Sequence, residues 1–394
     1  MKKLSSAAHH IEGQPMFKLL AQVQEMEQHG ADIVHFEIGD PDFSTPPNIV
    51  EVACASLRQS ETHYISSMGL RDMRMAVRQV TEKSRGFLPD VDQVLITPGA
   101  NTIIYYAVRC LVEDGEDVMI PNPYFPTYLS VLHFCGVNPI FIPLKEKNNF
   151  RMNPRDIRSR ITDKTRLIII NSPHNPTGSV MTQEELDEVY NIAEERDVYL
   201  LSDEVYSRMI YDPSGKFYSP AIRDGCRRRT IITNGFSKAF AMTGWRLGCA
   251  MGPTDVIEKM GLLLQTTVSC VPPFIQRAGI EAMQGSQEHV RNMIQEYRAR
   301  RDLLVKRLNE LPGVTCLKPG GAFYVFPNIQ GTGMDDETFA KMMLEKAGVA
   351  LLPGSNFGEN GRGYVRMCYA NSPANILKGV ERMERCLRKR SSYG

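Results

Sequence analysis

The feature that most constrains the fold is a regular alternation of short apolar runs with helical patterns through the middle of the chain. Residues 94–97 form an apolar run, and an amphipathic pattern follows over residues 101–112. Residues 166–170 precede a turn and then a helix that begins at Thr182, where Thr182 and Glu185 fit a capping box. Apolar strands separated by helices predict a parallel sheet that is covered on both sides. We therefore predict an α/β fold.

The end of the chain has a different pattern. Further strands of the first kind are predicted at residues 117–120, 138–142, 197–201 and 230–233. After these come a long helical pattern over 287–311, a hairpin-like strand over 320–326, and a last helix that opens at Ser372-Pro373. This change predicts a smaller α+β domain with which the N-terminal segment packs. We expect an N-terminal segment at 1–48, a large domain at 49–285 and a small C-terminal domain at 286–394.

Composition excludes several classes of protein. The 394 residues carry 46 Lys+Arg and 45 Asp+Glu, and no charged block is large enough to predict nucleic-acid binding. No stretch approaches the about 20 apolar residues of a membrane span. The nine cysteines form no C-x-x-C pair, and the start of the chain lacks the apolar core of a secretion signal. We expect a cytoplasmic protein with no nucleic-acid or membrane partner, and no metal site because ligand spacing is missing.

Polar side chains follow the predicted strands at their carboxyl ends, where open α/β sheets bind ligands. The turn at residues 97–101 leads into a helix N-terminus, whose free N–H groups suit a phosphate. Later strand ends carry an amide, a carboxylate with a phenol, and a lysine with an arginine: Asn175, Asp203 and Tyr206, Lys238 and Arg246. A lysine amine can hold an aldehyde cofactor as a Schiff base. Pyridoxal 5'-phosphate also needs an acid at its ring nitrogen, donors for its phenolate oxygen and a cationic phosphate site, so this set of residues favours it.

Several spaced motifs resemble one enzyme family. Ser237-Lys238 with Arg246 eight residues after the lysine, Asn175-Pro-Thr-Gly, and Asp203-x-x-Tyr206 are similar to the class I/II aminotransferases of pyridoxal phosphate fold type I, the aspartate aminotransferase-like group. The similarity extends from residues 36–41 to residues 364–366. It implies a large cofactor-binding domain with a mainly parallel seven-stranded sheet between helices, and a smaller α+β domain built from both chain ends. It also implies a homodimer whose active sites are shared across the interface.

The resemblance implies catalytic and cofactor-binding roles for five side chains. Lys238 would form the Schiff base and would then move the proton between the substrate Cα and the cofactor. Asp203 would keep the pyridine nitrogen protonated. Tyr206 and Asn175 would donate hydrogen bonds to the phenolate oxygen. Phe125 matches the position whose aromatic ring stacks on the cofactor.

The resemblance also implies a phosphate site. Arg246, Ser237 and the backbone of Ala100 and Asn101 would hold the phosphate, since an arginine fork binds such anions bidentately. Tyr64 matches a tyrosine that reaches a phosphate across the dimer interface. The family often has a serine three residues before the lysine, whereas this chain has Gly235 there, so one phosphate donor is missing or is supplied by another residue.

The same resemblance implies a ping-pong transfer of an amino group from an L-amino acid to a 2-oxo acid. Arg366 would bind the substrate α-carboxylate, with help from Asn175 and the Gly39 backbone. Aspartate, alanine, glutamate, aromatic residues or a specialised metabolite all stay open as donors, and the segment at residues 14–18 is expected to shape this choice. A pyridoxal phosphate-dependent β-lyase (C–S lyase) of the same fold is the alternative activity. A regulator with this fold would need an added DNA-binding module, for which the first forty residues leave no room.

Taken singly, the same residues also fit ordinary structural roles. Lys238 could be a surface lysine, and Asp203 a helix N-cap. Arg366 could form an interdomain ion pair, and Phe125 could be a core aromatic. We assign His174 a structural or access role, because the lysine already supplies acid–base chemistry.

Overall fold

A computed structural model describes residues 3–9, 11, 13–212 and 215–391 of the chain. The strands in this part are β1 Val34–His35, β2 Val94–Thr97, β3 Asp117–Asn122, β4 Asn138–Pro143, β5 Thr165–Asn171, β6 Tyr199–Asp203, β7 Thr230–Gly235, β8 Gly248–Met251, β9 Tyr324–Val325, β10 Val349–Ala350, β11 Leu352–Pro353 and β12 Val365–Cys368. The α-helices are α1 Ser6–His9, α2 Pro15–Gln28, α3 Pro47–Arg58, α4 Arg71–Arg85, α5 Ala100–Leu111, α6 Pro126–Phe134, α7 Pro154–Arg158, α8 Gln183–Glu195, α9 Thr254–Thr267, α10 Pro273–Gln284, α11 Glu288–Leu308, α12 Asp336–Met342 and α13 Pro373–Ser391.

The central sheet has seven strands in the order β2-β8-β7-β6-β5-β3-β4. Strands β4, β3, β5, β6 and β7 are parallel neighbours, and β8 runs antiparallel to both β7 and β2. The predicted α/β class with a mainly parallel seven-stranded sheet is therefore confirmed. The sequence pattern did not indicate β8, because Gly248-Cys-Ala-Met is short and contains no β-branched residue.

Helices cover both faces of this sheet. On β2, Val94 and Ile96 belong to the core formed with α3, α4 and α10, whereas Leu95 belongs to the core formed with α5, α6 and α9. This alternation follows from the strand pleat, which points successive side chains to opposite faces. The predicted capping box of α8 is confirmed, since Glu185 N donates to Thr182 Oγ1 over 3.2 Å and Thr182 N donates to the Glu185 carboxylate over 3.0 Å. Within the described residues, no helix is both long and apolar enough to cross a membrane.

A smaller α+β part contains strands from both ends of the chain. Strands β11, β12 and β9 form an antiparallel sheet, and β1 pairs in parallel with β10. Apolar side chains of β1, β9, β10 and β12 share one core with α11 and α13, whereas Leu352 of β11 packs in another core. The hairpin-like strand predicted over 320–326 is wrong in extent, because only β9 is a strand there and its partner is β12. The domain boundaries after residues 48 and 285 stay predictions.

Candidate active site

Lys238 lies in the loop that follows β7, with its amine directed toward the N-terminal segment. Its Nζ donates to the Gly39 carbonyl oxygen over 2.6 Å and lies 5.8 Å from the centre of the Phe323 ring. Desolvation lowers the pKa of Lys238 to about 8, although the Asp40 carboxylate acts in the opposite direction. A substantial fraction of this amine is therefore neutral near pH 8, and only a neutral amine is nucleophilic.

Asp203 ends β6 and is buried. Its Oδ2 accepts a hydrogen bond of 2.5 Å from the Tyr128 hydroxyl, and its Oδ1 accepts one of 3.3 Å from Val205 N. Burial raises the pKa of Asp203 to about 6, while the Tyr128 hydrogen bond acts to lower it. No basic side chain among the described residues forms an ion pair with Asp203. A buried carboxylate without a cation is suited to a cationic ligand group such as a pyridinium.

Tyr206 and Asn175 line the same cavity as Tyr324. The Tyr206 hydroxyl is 2.9 Å from the Tyr324 hydroxyl, and burial raises the pKa of Tyr206 well above its ordinary value, so the phenol stays protonated as a donor. Asn175 follows β5, and its backbone N–H donates to Asn171 Oδ1 over 2.9 Å. A Cβ at Gly39 would overlap the Tyr324 hydroxyl, so glycine is required for this close approach.

A cluster of hydrogen-bond donors lies at the N-terminus of α5. Gly99 precedes the helix with φ of 85° and leaves room for the Arg246 side chain, because a Cβ at Gly99 would lie 2.4 Å from Arg246 Nη2. Arg246 Nη1 donates to the Thr243 carbonyl over 2.8 Å, and no carboxylate among the described residues pairs with this arginine. Free helix N–H groups, a guanidinium and the Ser237 hydroxyl are a donor set that suits a phosphate. At Gly235 a Cβ would lie 3.4 Å from the Ala100 Cβ, which is an ordinary contact, and the glycine itself supplies no hydroxyl to this cluster.

Arg366 is fully buried on β12. Its Nη1 donates to Asn175 Oδ1 over 3.2 Å, its Nη2 donates to the Glu37 carbonyl oxygen, and the guanidinium lies 4.6 Å from the centre of the Tyr324 ring. Its Nε has no hydrogen-bond partner, and no carboxylate pairs with it, within the described part of the chain. Among the described residues, Arg366 therefore does not form the interdomain ion pair that the sequence left open. An unpaired buried guanidinium is suited to a carboxylate ligand.

One cavity of about 510 Å³ brings most of the expected residues together. Ten of them line it: Gly39, Ala100, Asn101, Phe125, Asn175, Asp203, Tyr206, Ser237, Lys238 and Arg246. Arg366 does not line the cavity itself, but it contacts Asn175 and Tyr324, which do. Tyr64 does not line it either and is 87% exposed.

Sequence reasoning missed several residues that line this cavity or contact its lining. Tyr128 bonds to Asp203 although 75 positions separate them, and no local pattern indicates such a contact. Tyr324 and Asn171 also line the cavity; Tyr324 lay inside the strand predicted over 320–326 and Asn171 directly after the one predicted over 166–170, and neither position indicated a site. The segment at residues 14–18, which was expected to shape the choice of donor, contributes Gln14, Met16 and Phe17 to the lining. His174 is buried against Thr177, and burial lowers its pKa to about 3, so it stays neutral.

Comparison with known proteins decides the family. The model of the family "Aminotransferase class I and II" matches residues 31–383 of this chain. The chain belongs to this family. The aspartate aminotransferase of Pyrococcus horikoshii is 41% identical over 372 residues, which cover 94% of this aminotransferase and 93% of that protein. The aromatic-amino-acid aminotransferase 2 of Thermococcus litoralis is also 41% identical, with 91% and 92% of the two chains covered.

Solved structures agree with this assignment. The aspartate aminotransferase of Thermus thermophilus with maleate superposes with a TM-score of 0.94 at 32% identity, over 98% of this chain and 100% of that chain. An aromatic aminotransferase from Pyrococcus horikoshii gives a TM-score of 0.89 at 40% identity, over 94% and 99% of the two chains. The protein is a pyridoxal phosphate-dependent aminotransferase. The unpaired Asp203 carboxylate and the cluster of donors at α5 fit the cofactor's ring nitrogen and phosphate.

Proposed function

We propose that this aminotransferase moves the amino group of an L-amino acid to a 2-oxo acid in a ping-pong cycle, with Lys238 as the residue that holds the cofactor covalently and carries the proton. The observation that supports this assignment is the amine itself, which has a pKa of about 8 and lies in the same cavity as an unpaired buried carboxylate. When bound, pyridoxal phosphate supplies an aldehyde and a ring that withdraws electrons from the substrate Cα. Because the amine titrates close to neutral pH, it can both accept and return the Cα proton.

The other residues of the cavity orient the reacting groups. Asp203 would hold a proton at the ring nitrogen through its carboxylate, which Tyr128 keeps in place. The Tyr206 hydroxyl would donate a hydrogen bond to the phenolate oxygen, and the Asn175 side chain would donate a second one. Phe125 would cover one face of the ring. Arg246, Ser237 and the N–H groups of Ala100 and Asn101 would bind the phosphate.

Arg366 would bind the substrate α-carboxylate beside Asn175 and the Gly39 backbone. Its unpartnered buried Nε supports this role, because a bidentate carboxylate would satisfy that donor. The Tyr324 ring and Asn175 fix the plane of the guanidinium, so the substrate Cα would be held in one position relative to the Lys238 amine.

We further propose that the preferred donors have apolar or aromatic side chains. Among the described residues, Lys238 and Arg246 are the cationic side chains that line the cavity, and both already have roles. Met16, Phe17 and Ile38 give the remaining wall an apolar character. The ratio kcat/KM with 2-oxoglutarate should be higher for L-phenylalanine than for L-aspartate, and a preference for aspartate would contradict this proposal.

The decisive test of transamination is a single half-reaction. The holoenzyme mixed with an amino acid alone should convert its bound pyridoxal phosphate to the pyridoxamine form, and the corresponding 2-oxo acid should appear in equal amount. The absence of this conversion with every amino acid would exclude the proposed function. Release of pyruvate and ammonia from a β-substituted amino acid would instead support the C–S lyase.

We also propose a homodimer in the cytoplasm. Tyr64 is 87% exposed and does not line the active-site cavity of its own chain. This placement suits a residue that contributes to the active site of the other subunit. The nine cysteines are all free thiols, which suits a reducing compartment. Light scattering should give twice the mass of one chain, and a fully active monomer would contradict the dimer. Recovery of the protein in a secreted fraction would contradict the location.

A further inference from the structure

A second cavity lies behind the active site. It has a volume of about 770 Å³ and is bounded by the C-terminal half of α4, the segment after β6, the loop after β7, and the junction of α10 with α11. Val205 and Gly235 line both cavities, so the two are back to back across the carboxyl ends of β6 and β7. Its volume falls within the range of about 300–1,000 Å³ that is typical of small-molecule sites.

The lining of this second cavity combines apolar walls with positive charge. The apolar walls come from side chains on several elements: Val77, Val80, Ile222, Phe236, Val290 and Ile294. Five described lining residues are cationic and none is acidic, the cations being Lys83, Arg85, Arg208, Lys216 and Arg291. Arg85 is already neutralised, because its Nε donates to Glu204 Oε2 over 2.6 Å. Lys83, Arg208 and Arg291 leave an excess of positive charge that makes this space suited to an anion.

Arg208 is the cation that is held inside the cavity. It is partly buried, whereas Lys83 and Arg291 are exposed. Its Nη1 donates to Gln287 Oε1 over 3.0 Å, and its guanidinium lies 5.0 Å from the centre of the Phe240 ring. Gln287 is itself fixed, since its Nε2 donates to the Ala282 and Gly285 carbonyls over 2.9 Å each.

The Arg208 guanidinium therefore has a fixed position but no counter-charge. No carboxylate of the described residues forms an ion pair with it. Burial lowers the pKa of Arg208, and the nearby Arg85 acts in the same direction. An anion that entered the cavity would satisfy the remaining donors of a guanidinium that is already oriented, so little side-chain entropy would be lost on binding.

We propose that this second cavity binds a small organic anion with an apolar body, whose anionic group pairs with Arg208 and whose body packs against the walls between α4 and α11. The ligand is a monocarboxylate or a monophosphate ester, since both present oxygen pairs to the guanidinium fork. This site is separate from the transamination site and does not depend on the roles proposed there.

Calorimetric titration of the holoenzyme tests the proposal. Octanoate and octyl phosphate are the probes, and octylamine has the same body with the opposite charge. One of the two anions should bind once per chain, and octylamine should not bind. The tighter of the two anions identifies the class of anionic group. Failure of both anions to bind, or equal binding of octylamine, would overturn the proposal.

Substitutions locate the binding. Arg208→Gln should weaken binding of the titrated anion about tenfold or more, since a hydrogen bond to a charged group is lost. Val80→Trp fills the cavity and keeps Arg208, and it should weaken binding of the anion as well. The result therefore does not rest on one variant. Arg291→Gln removes an exposed cation of the same cavity and should have a smaller effect than Arg208→Gln. If Arg366→Gln abolished binding while Arg208→Gln and Val80→Trp did not, the anion would occupy the active site and the proposal would be wrong.

Discussion

Replacing Tyr128 with phenylalanine removes one hydrogen bond and keeps the ring. The Tyr128 hydroxyl donates to Asp203 Oδ2 over 2.5 Å, and its ring packs edge-on against Phe125 with the centroids 5.6 Å apart. Both Tyr128 and Asp203 are buried. A hydrogen bond to a charged group contributes about 1.5–3 kcal/mol, against about 0.5–1.5 kcal/mol between neutral groups. The substitution should therefore cost about 1–2 kcal/mol more when Asp203 is ionised than when it is protonated.

The pH dependence follows from the pKa of Asp203. Burial raises this pKa in the folded protein to about 6, above the ordinary value of 3.8. The stability that Asp203 contributes is thus fully present below about pH 4 and is lost as the pH rises through 6. Without the Tyr128 hydrogen bond the folded pKa rises by about one further unit, because one unit corresponds to about 1.4 kcal/mol. In Tyr128→Phe, the stability that Asp203 contributes is therefore lost over a pH range that extends about one unit higher than in the wild type.

Urea unfolding of the cofactor-free protein measures this effect. The difference in free energy of unfolding between wild type and Tyr128→Phe should be about 1–2 kcal/mol larger at pH 8 than at pH 5. Tyr106→Phe is the matched control, because the buried Tyr106 hydroxyl bonds over 2.6 Å to the neutral Thr267 Oγ1 and its loss should cost the same at both pH values. An equal cost of Tyr128→Phe at pH 5 and pH 8 would refute the argument that Asp203 titrates between them.

Three further substitutions test the cofactor and substrate assignments. Lys238→Ala should remove the absorbance of covalently held pyridoxal phosphate, and its persistence after gel filtration would show that another residue binds the cofactor. Gly99→Ala should weaken cofactor binding about tenfold or more in a fluorescence titration, since its Cβ would displace the Arg246 guanidinium, a charged donor to the phosphate. Gly115→Ala has a similar φ of 83° and no atom within 4 Å, so it should destabilise the fold without changing cofactor affinity. Arg366→Lys should raise KM for the amino donor about tenfold or more while the cofactor spectrum is retained, because a bidentate contact is lost; an unchanged KM would contradict the carboxylate role.

The sequence could predict the sheet and the loops that follow its strands because both depend on local pattern. The apolar runs of β3, β5 and β7 are buried on both faces, so they stand out from the polar segments between them. Residues such as Asp203 and Lys238 then follow at carboxyl ends, which a parallel sheet brings to one edge. Strand β8 lacked such a pattern, because glycine and alanine have a weak preference for strands. Small residues are nevertheless needed there, since the neighbouring backbone lies very close. A Cβ at Gly248 would lie 2.7 Å from the Gly99 carbonyl carbon.

Contacts between distant parts of the chain could not be predicted from local pattern. Arg366 bonds to Asn175 across 191 positions, and only the tertiary fold brings β12 to the loop that follows β5. Tyr128 reaches Asp203 because α6 packs on the sheet, where its Leu132 shares a core with Val118 of β3. The resemblance to a family supplied Arg366, but no motif included Tyr128.

The pairing of β1 with β10 has a consequence for how the chain is made. Val34 is synthesised long before its strand partner Val349. The Lys238 amine likewise meets Gly39, whose segment is positioned only once that late partner exists. All seven strands of the central sheet are therefore synthesised before β10, and Phe36, which packs in the core that includes Val349, has to wait for that part of its core. Because Lys238 donates to Gly39 in this segment, acquisition of the cofactor is expected to follow the synthesis of β10.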